Sequence, residues 1–105
     1  CAAFICLLPL MSCQADDKVE RVPAEMEWPQ FRGPRGDGTW NGPKLPEKWP
    51  ASGLKTLWKH EIGGGYAGVS VADGRVITMD RQKAPEVERV LCFEALSGKA
   101  LWQHE

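Results

Sequence analysis

The residues most able to do chemistry are two His-Glu pairs, His60-Glu61 and His104-Glu105. Imidazole beside carboxylate is the opening half of the HExxH zinc signature, in which a second histidine one helical turn on completes the chelate. Position 64 is Gly64, so the first pair lacks that ligand. In a strand, moreover, successive side chains point to opposite faces, and the two members of a pair cannot close on one ion. Both pairs therefore read as solvated strand residues. Cys92 falls in a strand pattern and reads as a small buried hydrophobe; no CxxC pair offers zinc or redox chemistry. Arg35-Gly36-Asp37 spells an integrin-type tripeptide, but a Pro/Gly-rich turn produces it by composition. Gly63-Gly64-Gly65 lacks the helix and the Lys-Ser/Thr of a phosphate loop and reads as a tight connection, with Tyr66 beside it left unassigned. Asp80 and Glu94 have no identifiable carboxylate or base partner. No catalytic, cofactor-binding or metal residue is assigned.

The elements that hold these residues follow from a repeat. Leu57-Trp58-Lys59-His60-Glu61 returns as Leu101-Trp102-Gln103-His104-Glu105, 44 positions later. That step is the length of one four-stranded propeller blade. From Leu54 the pattern is strand-like throughout: Leu54–Ile62, then Ala67–Ala72, Arg75–Asp80, Val87–Glu94 and Lys99–Glu105. Asp73-Gly74 between two β-rich runs is a strong signal for a type I′ hairpin turn. Arg81–Glu86 reads as a polar loop and Ala95–Gly98 as a turn. The fold expected is all-β: about one four-stranded antiparallel blade, plus the strand Leu54–Ile62 belonging to a neighbouring blade, with almost no helix. In that arrangement Trp58 and Trp102 are equivalent fasteners, each with its flat face against an adjoining sheet. A lone blade leaves its faces and edges uncovered, so poor stability and aggregation are expected of it.

The chain divides into 1–15, 16–27, 28–53 and 54–105. The first 15 residues carry no charge in a chain that is 26% charged, and Ala2–Met11 is an apolar run too short to cross a bilayer. It suits the apolar core of a secretory signal, here truncated. Leu10-Met11-Ser12-Cys13 resembles a bacterial lipobox with Cys13 as the lipidation site; Cys13-Gln14-Ala15 offers ordinary signal cleavage instead. Residues 16–27 are a polar tether. Residues 28–53, rich in Gly and Pro, form an irregular lead-in that Trp28, Phe31, Trp40 and Trp49 should pin to the domain. A net charge of −1 with interspersed signs leaves no basic footprint for nucleic acid.

Cys92-Phe93-Glu94-Ala95-Leu96-Ser97-Gly98-Lys99-Ala100-Leu101-Trp102 resembles the tryptophan-docking motif of pyrroloquinoline-quinone-type (PQQ-like) β-propeller repeat proteins, with Phe93, Glu94 and Ser97 as departures. Around Trp58 the motif is degenerate: Lys55, Leu57 and Trp58 remain, and Leu54 stands where the turn glycine belongs. Trp28-Pro29-Gln30-Phe31-Arg32-Gly33-Pro34 is also similar to the opening of exported members. The resemblance covers residues 28–105 and implies blade-docking roles for Trp58, Gly98, Lys99 and Trp102. It implies one of two functions. The first is a BamB-like, non-catalytic scaffold in the periplasm or anchored to the outer membrane through lipid, meeting protein partners through its propeller loops and needing no cofactor. The second is a quinoprotein dehydrogenase for an alcohol or sugar, holding PQQ and calcium. No adjacent cysteine pair or channel acids of that second set are recognisable in the sequence, which favours the scaffold.

Overall fold

The computed structural model describes residues 19–105. The export segment, with Cys13, and the first residues of the tether lie outside them. A 3-10 turn, Ala24–Met26, is followed by β1 (Ser70–Ala72), β2 (Arg75–Lys83), β3 (Glu86–Glu94) and β4 (Ala100–His104). The four strands form one antiparallel meander in the order β1-β2-β3-β4. The all-β expectation and the four-stranded sheet both stand.

The hairpins follow their turn chemistry. Asp73 and Gly74 take φ of 50° and 72°, which closes β1 on β2 with Ala72 opposite Arg75. Two boundaries differ from expectation. β2 runs on to Lys83, so the polar loop of 81–86 shrinks to Ala84-Pro85 between two nine-residue strands. Cross-strand pairs carry it there: Asp80 faces Arg89 and Lys83 faces Glu86. β1 is short because residues 67–69 leave the ladder. Leu54–Ile62, expected as a strand, belongs to no ladder among the described residues. Its Trp58 and His60 lie against Ala95, Gly98 and Phe93 instead.

Alternation sets two faces. Val76, Thr78, Asp80 and Gln82 stand opposite Phe93, Leu91, Arg89 and Val87 on one; Ile77, Cys92 and Trp102 form a row on the other. A register shift between Cys92 and Phe93 places Leu101 as the extra residue of β4. Among the described residues Leu91, Cys92 and Phe93 are the buried apolar ones, and β3 is thus the spine of a small core.

The lead-in is ordered against the β1 edge. Trp28 and Val71 exchange both backbone hydrogen bonds at 2.8 Å, and Glu27 accepts from the Asp73 amide at 2.8 Å. The Trp28 ring covers Gly33. Phe31 and Trp49 are largely exposed, at 85% and 55%, so they do not bury as pins. No helix among the described residues is long and apolar enough to cross a membrane.

Candidate docking site at the Gly98 turn

The turn between β3 and β4 is built for close approach. Glu94 accepts from the Gly98 amide at 2.9 Å and donates to Lys99 O at 2.8 Å. Gly98 has φ +72°, and the Cβ of any other residue would lie 2.5 Å from Trp58 Cγ. An L side chain there meets both a disfavoured backbone and an occupied space. Gly98 and Trp58, 40 residues apart in the chain, are thus brought together.

Three rings share this seat. The Trp58 indole lies beside His60 and Phe93, with centroids at 5.6 and 5.9 Å, and His60 stacks on Phe93 at 4.5 Å and 22°. Trp58 Nε1 donates to Ala95 O at 2.8 Å. His60 Nε2 lies 2.6 Å from Gly98 O, a carbonyl that can only accept, so Nε2 carries the proton. His60 is exposed, as a solvated residue should be, and keeps one ring face on Phe93. Burying about half of an indole's ~150–250 Å² is worth roughly 2–3 kcal/mol, before the hydrogen bond is counted.

The segment is fastened again further along. Asp80, with its side chain fully buried, accepts from the Gly63 amide at 2.5 Å and from Arg89 Nε and Nη2 at 2.9 and 2.5 Å. This bidentate pairing with Arg89 holds the Asp80 carboxyl below its usual range against the opposing effect of burial. With its amide oxygen turned toward Arg89, Gln82 accepts from the same guanidinium at 3.0 Å. Gly64 and Arg81 exchange backbone hydrogen bonds at 3.0 and 2.8 Å.

The two repeated motifs do not occupy equivalent settings. Trp58 is half-buried in the seat; Trp102, in β4, is 47% exposed. An open groove of about 230 Å³ lies along β4 beside Leu91, Phe93 and Leu101. The Glu94 carboxylate accepts from the Ser97 hydroxyl, and Ser97 Oγ in turn accepts from the Lys99 amide at 3.1 Å, which places Lys99 in the turn's hydrogen-bond frame. His104 is exposed, and no group of three metal-ligating side chains occurs among the described residues. Arg35 and Asp37 pair with each other at 3.3 Å, with Asp37 also accepting from the Thr39 amide and hydroxyl at 2.9 and 2.6 Å. Those bonds, chiefly from Thr39, lower the Asp37 carboxyl to about 2.

The sequence reading missed His60, Phe93 and the Asp80–Arg89 pair as parts of the site. Their only signal lay in strand register: Arg89 is placed opposite Asp80 by a turn whose length was misjudged. Comparison with protein-family models, curated proteins and solved structures finds no significant match to this chain.

Proposed function

We propose that the sheet is a blade of a PQQ-like β-propeller, and that the protein is an exported, non-catalytic protein-interaction scaffold at the bacterial cell envelope. The observation that carries this reading is the seating of Trp58 on Gly98. One copy of the repeated motif lies on the turn that introduces the next copy, one blade length along the chain. Repeated at each step, such a contact joins sheet to sheet. Rings on a glycine turn and hydrogen bonds to backbone carbonyls hold surfaces together; they move no proton or electron. The uncharged stretch before Asp16 and the lipobox-like Leu10–Cys13 support export and a lipid anchor at Cys13. The exposed turn at Leu96 suits a protein partner.

Three measurements test this. A photo-reactive amino acid at position 96 of the full chain, expressed in a bacterial envelope, is expected to give adducts with envelope proteins. Their absence in favour of cytoplasmic adducts overturns the localisation. Labelled palmitate is expected to enter the wild type and not Cys13→Ala. Saturable binding of pyrroloquinoline quinone with calcium, followed calorimetrically, would instead point to a dehydrogenase.

A further inference from the structure

From Val19 onward the tether is clasped to the sheet. Val19 and Glu20 lie over the β1–β2 turn, with Val19 Cγ1 at 2.8 Å and Glu20 O at 2.5 Å from where a Gly74 Cβ would stand. Arg21 Nε pairs with Asp73 Oδ1 at 3.0 Å, and the Glu27 carboxylate accepts from the Asp73 amide at 2.8 Å. An exposed ion pair such as Arg21–Asp73 is weak alone, so the clasp depends on these contacts together. The clasp shortens the chain between Cys13 and the sheet. Cys13 to Val19 is six positions, which reach no farther than ~20 Å on any path. Cys13 to Trp28, the next fixed point through its bridge to Val71, is fifteen positions, or ~50 Å.

We propose that a lipid on Cys13 holds the protein by this short leash and turns the Asp73–Gly74 end of the sheet toward the bilayer, so that the lipid headgroup layer is the surface this end meets. This rests on reading Cys13 as the lipid anchor, and it adds the orientation. Ala84, in the β2–β3 hairpin, stands ten positions of strand from Gly74, ~33 Å away. A body held at one end sweeps its far end through the solvent half-space, while the held end stays within reach of the headgroups. Arg21 and Arg75 both pair with Asp73, so reach and not charge attraction sets the orientation. Leu96 belongs to the held end, because the Ala95 amide donates to Gly74 O at 2.8 Å. A protein that meets the exposed Leu96 turn must therefore present its surface beside the membrane.

Fluorescence quenching of the full chain, purified from bacterial membranes and placed on phosphatidylcholine vesicles that carry a nitroxide headgroup lipid, tests it. A fluorescent amino acid stands at position 96 or at position 84. Quenching at 96 is expected to exceed that at 84 at least threefold, with no change when phosphatidylglycerol or salt is added. Equal or stronger quenching at 84 overturns the orientation and leaves the anchor standing; so does quenching at 96 that needs the anionic lipid. Arg21→Ala with Glu27→Ala opens the clasp and is expected to lower quenching at 96 at least twofold. A Gly/Ser insertion after Asp17 that doubles the reach leaves the clasp contacts in place. It is expected to lower quenching as much, and serves where the double variant does not fold. Quenching at 96 that either folded variant leaves unchanged overturns the short leash. Wild type that stays with the vesicles no better than Cys13→Ala removes the anchor, and the orientation with it.

Discussion

Gly98 carries the steepest residue-level prediction. Gly98→Ala places a Cβ against Trp58 in a left-handed backbone, at a cost of ~1–2 kcal/mol for the backbone alone. Urea unfolding is expected to show at least that loss, and the Trp58 indole N–H resonance is expected to leave its bonded position. Asp80 sets an acid limit. Its folded pKa lies below the ordinary 3.8, so its contribution is complete above about pH 4 and is lost as pH falls through the lower folded value. Asp37 adds a smaller effect between 3.8 and about 2, screened by its exposure. Asp80→Asn is expected to lower the thermal midpoint at pH 7 by more than ~5 °C and to flatten its acid dependence. Unchanged pH dependence in that variant would remove Asp80 from the explanation. Cys92 is fully buried and burial pushes its thiol pKa up. A thiol reagent is therefore expected to modify it only as fast as the sheet opens, with Cys13→Ala and the other N-terminal cysteines replaced to isolate the signal.

At the level of elements, the two edges of the sheet are treated differently. The β1 edge is covered by the lead-in through Trp28, and the β1–β2 turn is overlaid by the chain before it, with Glu20 O 2.5 Å from where a Gly74 Cβ would stand. The β4 edge carries no strand partner among the described residues. An uncovered edge bearing Trp102 is a template for further pairing. Trp28→Ala is expected to raise the amide exchange rate of Val71 at least tenfold, because the ring that packs on Gly33 holds the bridge in place. Exchange measured by NMR that stays unchanged would show the bridge is held from elsewhere.

Among the described residues, one four-stranded sheet has too few layers for a large core, and the buried apolar side chains are three consecutive residues of β3. Much apolar surface stays in water, including Leu54, Leu57, Met79 and Trp102. The thermal transition of these 105 residues expressed alone is expected to be broad, with a low midpoint. A cooperative, concentration-independent transition of the monomeric chain would contradict this.

The sequence by itself determined the four strands of the meander, the Asp73-Gly74 turn and the strand position of Cys92, because alternation and turn residues act locally. It also revealed the repeated Leu-Trp-x-His-Glu. What it could not determine was which copy is seated. Both copies have the same local propensities, and only contact with a turn 40 residues away separates Trp58 from Trp102. The tertiary structure likewise decided that Leu54–Ile62 joins no ladder of the described residues, and that His60 serves in the seat. A hydrogen bond to Gly98 O and a ring on Phe93 depend on where the segment lies, and periodicity carries no record of that.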